Sequence, residues 1–519
     1  MKIRNWIESL FGGPVPVNSS LPVHAQGDQD FPARVDFKAG IAAYAERDYA
    51  RAIEYFGRVL DKRHDDADAH NNLGLSYLAV DRIEDAADEF VLAVHFRPRF
   101  AQAFYNLALA QIKCRQIVEA TACLERALEI KPEYSAAHNA LGYIFIHHSG
   151  RFERGAEHIR RALELEPGDP DTLCNYTAVL TREGRLDEAI DVCERLLKLH
   201  PDMHEVRLNR GLANLRLGRF GEGWIDYEAR KLAGGNFRAR TLDLPDWQGE
   251  PLTEGKLLIY AEQGIGDQIM FGSCIPQAMR RAACLVECAP ELKALFERSF
   301  GPSQIVAETD DAALLTQASG AGARFKIAAG SLPLHYRSRI EEFPREPYLH
   351  ADPGRIAAWR ERLQSLGDGL KVGISWAGGA ASTGGADRSI PLEQWSTVLK
   401  MPNCHFISLQ YGDAALERQS ITTPLHHWQD AITNFDETAA LVCALDLVIT
   451  VQTALVHLAG ALGRPAWMLV QAACEWRYGT TGETMPWYPS VRLIRQQRSH
   501  EWAPVIQRVG HELAKVAAG

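Results

Sequence analysis

Residues 74–98, GLSYLAVDRIEDAADEFVLAVHFRP, carry the pattern that decides the fold of the first half of the chain. A small residue stands at Gly74, a second follows at Ala86, and Pro98 closes the stretch. Proline ends a helix because it lacks an amide N–H and clashes with the preceding turn. The first small residue recurs every 34 or 35 residues, at Gly40, Gly74, Ala108, Gly142, Thr177 and Gly211. The chain therefore repeats one unit along its first half.

The other two positions recur in the same phase. The second small residue returns at Ala52, Ala86, Ala120, Gly155, Ala189 and Gly223. The helix-ending position is filled by His64, Pro98, Pro132, Pro167 and Pro201. Small residues at both positions let the two antiparallel helices of a repeat cross closely. The period and these positions resemble the tetratricopeptide repeat (TPR), so we expect six helix pairs over residues 33–237, after an N-terminal segment and linker over residues 1–32.

A column of asparagines marks one position of these repeats. Each lies two residues before the small residue of its repeat: Asn72, Asn106, Asn175 and Asn209. The fourth repeat departs, with Ala140 at the position and Asn139 one residue before it. A carboxamide donates to a peptide C=O and accepts from a peptide N–H, so a ladder of amides along the concave face could hold an extended polypeptide. The alternative is that Asn is simply frequent at this repeat position.

Composition limits the classes of function. The 519 residues include 56 Lys and Arg against 66 Asp and Glu, which gives a formal net charge of −10. That charge argues against a general nucleic-acid binder and predicts no attraction to an anionic membrane. The ten cysteines include no CxxC pair, which favours a reduced, cytoplasmic compartment. The longest apolar run, residues 439–451, is too short to span a membrane, and the N-terminus lacks the apolar core of a signal peptide.

After Trp247 the pattern changes to alternating strands and helices, which predicts parallel, doubly wound sheets. The first set comprises strands at KLLIYA and CLVECAP and helices over residues 269–281 and 291–298. The second set comprises strands at KVGISWAGG, HFISLQ, DLVITV and PAWMLV and helices over residues 392–399, 438–444 and 455–462. We expect two Rossmann-like lobes over residues 238–350 and 351–519, with the chemistry at the carboxyl ends of their strands.

Three strand-to-helix loops stand out at those ends. The first, EQGIGD, ends in Asp267, and a carboxylate near a helix N-terminus can act as a general base on an acceptor hydroxyl. The second is a glycine-rich loop followed by Arg388 and Ser389, whose backbone N–H groups and guanidinium suit a diphosphate. The third, QTALVH, offers Thr453 and free N–H groups at a helix start, with His457 one turn in.

Each loop also has a plainer interpretation. Asp267 could be an N-cap without a catalytic role. The glycine-rich loop could be solvated, with Ser389 as a helix cap. A lone helical histidine such as His457 is more often a packing residue than a ligand.

Together these stretches resemble a known group of enzymes. DLVITVQTALVHLAGALGRPAWMLV is similar to the C-terminal signature of the ADP-heptose–lipopolysaccharide heptosyltransferase family, and AEQGIGDQIMF is similar to its N-terminal glycine–aspartate loop. The order of repeats, AEQGIGD, WAGGAASTGGADRSIPL, SLQYG, VQTALVHLAGALG and WYPSVRLIRQ resembles that of bacterial TPR-glycosyltransferases. The resemblance extends over residues 33–497.

The resemblance implies a TPR α-solenoid followed by an α/β GT-B glycosyltransferase that needs no metal and no permanently bound cofactor. Asp267 would match the family's base, beside an acceptor-side loop of Gln263, Gly264 and Gly266. A nucleotide sugar would bind the C-terminal lobe through Gly378, Gly379, Arg388, Ser389, Gln410, Gln452, Thr453, Ala454 and His457. The TPR groove would recruit a polypeptide acceptor, which by analogy is flagellin or another surface protein.

One position departs from the family pattern. Gln452 stands where the family has Asp, which removes a negative charge from the donor site. Either the donor preference has changed, or activity is lost and the chain is a TPR scaffold with a degenerate transferase domain. A third hypothesis is an envelope-polysaccharide glycosyltransferase whose repeats serve assembly. Because TPRs often mediate self-association, a homodimer is a further open alternative.

Overall fold

The computed structural model describes residues 31–148, 151–233, 240–378, 385–412, 417–418, 421 and 423–518. Most of the predicted segment 1–32 and Gly379 lie outside these residues. The first half is entirely helical, in pairs joined by short turns. Its helices are α1 (Phe31–Ala45), α2 (Tyr49–Lys62), α3 (Ala67–Ala79), α4 (Ile83–Phe96), α5 (Ala101–Lys113), α6 (Ile117–Ile130), α7 (Ser135–His147), α8 (Phe152–Leu165), α9 (Pro170–Arg182), α10 (Leu186–Leu199), α11 (His204–Arg216), α12 (Phe220–Tyr227) and the short α13 (Arg230–Ala233).

The small residues lie where the helices of a pair touch. A Cβ added at Gly74 in α3 would lie 2.7 Å from the ring of Phe90 in α4. The same addition at Gly142 would lie 2.7 Å from Ile159. Such distances leave no room for a side chain, so the periodic small residues allow the close crossing that the sequence predicts.

The second half contains two sheets. The first sheet comprises β1 (Lys256–Tyr260), β2 (Ala283–Cys288), β3 (Ile305–Ala307) and β4 (Ala323–Ala328), all parallel, in the order β3-β2-β1-β4. The second sheet comprises β5 (Leu370–Ser375), β6 (Cys404–Ser408), β7 (His426–His427), β8 (Leu447–Val451), β9 (Ala466–Val470), β10 (Thr484–Met485) and β11 (Tyr488–Arg495). Its order is β10-β11-β9-β8-β5-β6-β7, with only the β10–β11 pair antiparallel.

Helices connect and cover these strands. They are α14 (Ile265–Gly272), α15 (Ile275–Met279), α16 (Lys293–Phe300), α17 (Asp311–Gly320), α18 (Leu332–Tyr336), α19 (Pro353–Gln364), α20 (Gly385–Arg388), α21 (Ser396–Leu399), α22 (Phe435–Ala444), α23 (Ala454–Ala461) and α24 (Ala503–Ala518). The α plus α/β architecture predicted from the sequence is confirmed. The helix predicted over residues 269–281 is wrong in its bounds, because α14 begins at Ile265 and the helix is broken after Gly272.

The described residues form two compact units. One comprises the residues up to 179 with 198–201 and 233, and the other comprises 180–197, 202–232 and the rest of the chain. The first unit therefore holds α1 to α8 and most of α9. The second holds α11, α12 and both sheets, so the candidate site lies within one unit. The lobe boundaries at residues 238, 350 and 351 stay predictions.

Candidate active site

The loops singled out in the sequence leave the carboxyl ends of β1, β5 and β8. In the first sheet, β2 and β3 lie on one side of β1 and β4 lies on the other. In the second sheet, β6 and β7 lie on one side of β5, and β8 begins the other side. Open α/β sheets bind ligands where the strand order reverses in this way. Each loop therefore stands beside a reversal point.

Asp267 lies in the first turn of α14, and its side chain is 22% exposed. Gly264 occupies the N-cap position of this helix, so Asp267 is not its N-cap. Its Oδ1 accepts a hydrogen bond from Nε of Arg477 at 3.0 Å and a second from Nη2 of the same guanidinium. Burial raises the pKa of the Asp267 carboxyl, and the charge of Arg477 opposes that rise. A carboxylate of raised pKa, held in place by an arginine, has the attributes of a general base.

Sequence analysis did not single out Arg477 or Glu475, which follow β9. Nη1 of Arg477 donates to Oε2 of Glu475, and Nη1 of Arg388 lies 3.6 Å from Oε1 of the same carboxylate. Trp476 stands between the two residues and packs edge-on against Trp224 of α12, with ring centroids 5.3 Å apart. The signal in the sequence is a pair of opposite charges that begins five residues after the predicted strand PAWMLV.

The start of α14 touches the start of α23. A Cβ at Gly266 would lie 3.3 Å from Cδ2 of His457 and 3.4 Å from Cα of Ala454. His457 is 4% exposed, and its Nδ1 lies 3.2 Å from the hydroxyl of Tyr488. Burial, together with the charge of nearby Arg477, lowers the pKa of His457 to about 3. His457 is therefore neutral and packed beneath the loop, as its plainer interpretation expects.

The glycine-rich loop and the start of α23 meet at Gly378. A Cβ there would lie 3.0 Å from the carbonyl oxygen of Gln452 and 3.1 Å from Cγ2 of Thr453. The N–H of Gly378 donates to Oγ of Ser389 at 3.2 Å, and that hydroxyl donates to the carbonyl of Gly385 at 2.7 Å. Thr453 is the N-cap of α23 and accepts from the N–H of Leu455. The predicted donor loops are thus brought together.

The two glutamines of the donor set differ in their surroundings. Oε1 of Gln410 accepts from the N–H groups of Trp376 and Ala377 at 3.0 Å, and its Nε2 donates to the carbonyl of Ala377 at 3.0 Å. Gln410 therefore fixes the loop after β5. Gln452 is 2% exposed, and its Nε2 has no hydrogen-bond partner among the described residues.

The acceptor-side loop is tied to the end of the helical half. Oε1 of Gln263 accepts from the hydroxyl of Tyr227 in α12 at 3.1 Å. Its Nε2 donates to Oε1 of Glu262 at 2.9 Å. The same glutamate oxygen accepts from Nη2 of Arg230 at 3.0 Å and from the N–H of Gly330 at 3.2 Å. Gly264 and Gly266 are therefore held between a hydrogen-bonded loop and α23.

The asparagine column is in register but does not face solvent. Nδ2 of Asn106 donates to Oδ1 of Asn71, and Nδ2 of Asn175 donates to Oδ1 of Asn139, each at 2.8 Å. Asn72 and Asn106 are fully buried and Asn175 is 8% exposed, while Asn209, in the second unit, is half-buried. Asn106 and Asn175 thus bind the residue before the column position in the preceding repeat. The expectation of an open ladder is thereby corrected for Asn72, Asn106 and Asn175, and peptide binding by the column stays a prediction.

The tetratricopeptide repeat family matches residues 37–99, 105–170 and 179–235. Protein FlbA of Caulobacter vibrioides is 30% identical over 503 residues, which covers 92% of this chain and 83% of FlbA. The chain belongs to the FlbA family.

This member of the FlbA family also matches part of the human protein O-mannosyl-transferase TMTC3, with 24% identity over 37% of the chain and 22% of TMTC3. Among solved structures, a thermophilic TPR protein of Thermus thermophilus is 23% identical over 35% of the chain and 99% of that structure, with a TM-score of 0.30. In the described part of the chain no helix combines the length and the apolar character needed to cross a membrane.

Proposed function

We propose that this protein is a GT-B glycosyltransferase that moves a sugar from a nucleotide sugar to a polypeptide. The observation that carries the proposal is the meeting of Asp267, which follows the reversal strand of the first sheet, with Arg477 of the second sheet. A GT-B enzyme needs this arrangement, because a base from one lobe must act on a donor held by the other. The resemblance of the EQGIGD and QTALVH loops to heptosyltransferase motifs supports the same chemistry.

The donor diphosphate would bind at the carboxyl ends of β5 and β8. The guanidinium groups of Arg388 and Arg477 supply positive charge there, so the proposal includes neither a metal nor a bound cofactor. Backbone N–H groups of the glycine-rich loop and of the turn at Thr453 would add hydrogen bonds to phosphate oxygens. The buried side-chain amide of Gln452 would contribute to donor binding at this turn.

The transfer step follows from these positions. The acceptor hydroxyl oxygen attacks the anomeric carbon and forms the new C–O bond, while the bond from that carbon to the phosphate oxygen breaks. The hydroxyl proton passes to Asp267, and the electron pair leaves with the nucleoside diphosphate. Fixed positive charge at the departing phosphate lowers the barrier because it is in place before the charge develops.

A polypeptide acceptor is proposed because the catalytic half follows TPRs, and because a relative bears the name O-mannosyl-transferase. The TPR groove would recruit the polypeptide; flagellin or another surface protein is the acceptor that analogy suggests. Acceptor profiling tests this. Transfer to a protein should fall when α1–α8, which lie outside the unit that holds the site, are removed, whereas transfer to a polysaccharide precursor, the envelope-enzyme alternative, should not depend on them.

The second candidate function is a TPR scaffold whose transferase half no longer turns over, and Gln452 favours it. Replacing Gln452 by Asp restores the residue type of the related enzymes at this buried position. Under the enzyme proposal the wild type already transfers a sugar, and Gln452→Asp alters donor preference. Under the scaffold alternative neither protein transfers, although both bind the partner.

A further inference from the structure

Four charged side chains form a continuous chain across the candidate site. Asp267 pairs with Arg477, Arg477 pairs with Glu475, and Glu475 lies within ion-pair distance of Arg388. The four come from three separate places in the sequence: the start of α14, the turn after β9, and the end of α20. Two positive and two negative charges are thereby brought together.

The members of this chain differ in exposure. The side chains of Arg388 and Arg477 are 11% and 12% exposed, whereas that of Glu475 is 39% exposed. Glu475 is therefore already partly solvated. It can turn out into water with less loss of packing than either arginine. A diphosphate carries more negative charge than one carboxylate and offers more acceptor oxygens to guanidinium groups. It should outcompete Glu475 for the same two arginines.

We propose that Glu475 is an internal competitor for the donor diphosphate, so that binding of the diphosphate between Arg388 and Arg477 displaces the glutamate. This inference rests on the proposed function for the identity of the ligand. It assigns Arg477, a residue outside the motifs that resemble known transferases, to two tasks. Arg477 binds an anion on one side and holds Asp267 on the other.

The double role of Arg477 links donor binding to the base. While Nε and Nη2 of Arg477 both donate to Oδ1 of Asp267, they stabilise the carboxylate as an anion and lower its affinity for a proton. Phosphate oxygens that share this guanidinium draw its hydrogen bonds away from Asp267. The carboxylate then gains affinity for a proton, and it does so only when a donor is present to react.

Calorimetric titration of the full-length protein with inorganic pyrophosphate tests the inference. Glu475→Gln removes the competing charge and should tighten pyrophosphate binding about tenfold, since a like charge at a binding site opposes the ligand. Glu512→Gln is the matched control. It removes the same charge from an ion-paired glutamate of α24, outside the cluster, and should bind pyrophosphate as the wild type does.

Binding to Glu475→Gln that equals or is weaker than wild-type binding overturns the inference, as does an equal gain in Glu512→Gln. A Glu475→Gln/Arg388→Gln double variant should lose the gain, with circular dichroism as the check that it folds. Sugar transfer is measured in parallel on the same proteins. A gain in pyrophosphate affinity without transfer from any donor counts against the proposed function alone, and transfer without the gain counts against this inference alone.

Discussion

Arg477 donates two hydrogen bonds to one oxygen of Asp267, a residue 210 positions earlier in the chain. This pair joins the first turn of α14, which follows β1 of the first sheet, to the turn after β9 of the second sheet. An aspartate that the sequence alone leaves between a helix cap and a base is thereby placed among charged groups that follow the second sheet. Gly264 is the N-cap of α14, so the helix-cap interpretation of Asp267 is wrong.

Replacing Asp267 by Asn should lower sugar transfer by about 100-fold or more, because proton transfer by a positioned group contributes a factor of this size. The amide keeps the shape of the side chain, so binding of the nucleotide should persist. The rate of nucleoside diphosphate release and the Kd of the donor, measured on one preparation, check both expectations. Asp243→Asn, at an exposed aspartate of the same half, is the control, and full turnover by Asp267→Asn would remove the assignment.

Gly266→Ala should separate the starts of α14 and α23. The new Cβ would lie 3.3 Å from the His457 ring and 3.4 Å from Cα of Ala454, so one helix must give by a few tenths of an ångström. We expect transfer to fall about tenfold, since small displacements of reacting groups are costly. Gly320→Ala is the comparison, because nothing lies within 4 Å of its added Cβ. Equal activities of the two variants would show that the contact does not position the base.

Two helical glycines of the repeats should respond in opposite directions to alanine. Gly74→Ala drives a Cβ to 2.7 Å from the Phe90 ring and should destabilise the fold by about 1–3 kcal/mol. Gly57→Ala meets nothing within 4 Å and should stabilise it by about 0.5–1 kcal/mol through helix propensity. Urea unfolding followed by circular dichroism measures both. The same sign for both variants would contradict the close crossing of α3 and α4.

Acid should destabilise the protein through His457. Its pKa falls from 6.5 to about 3 in the folded chain, so between these values the unfolded state binds the extra proton. Stability from this residue is therefore fully present above pH 6.5 and falls by about 2 kcal/mol at pH 5. His457→Asn keeps an acceptor towards Tyr488 and should lose less stability than the wild type between pH 7.5 and 5. If the wild type and His457→Asn lost the same stability between pH 7.5 and 5, that result would refute a buried, neutral histidine.

The sequence predicts those parts of the fold that depend on local pattern. The period of small residues locates the crossing of the paired helices, and the alternation after Trp247 locates the strands that carry the loops. The sequence does not predict that α14 begins at Ile265, because glycines at 264 and 266 indicate a loop. Gly266 in fact lies within the helix, and its lack of a side chain leaves room for the ring of His457.

The site residues that the sequence does not predict are placed by contacts between segments that lie far apart in the chain. Arg477 and Glu475 lie in a stretch without periodicity, and Trp476 between them packs on Trp224, which is far away in the sequence. The sequence shows that the asparagines recur at one position of the repeats. Its burial depends on the register between successive repeats, where Asn106 reaches Asn71 and Asn175 reaches Asn139, and sequence spacing within one repeat does not show that register.

Thermal unfolding of the full-length protein with a panel of nucleoside diphosphate sugars tests the central claim most directly. A ligand at 100 times its Kd stabilises the folded state by about 2.7 kcal/mol, which gives a clear rise in Tm. The account predicts that at least one donor raises Tm and that Arg388→Gln, at the candidate diphosphate site, removes the rise. No rise with any donor of the panel would contradict a working transferase and favour the scaffold.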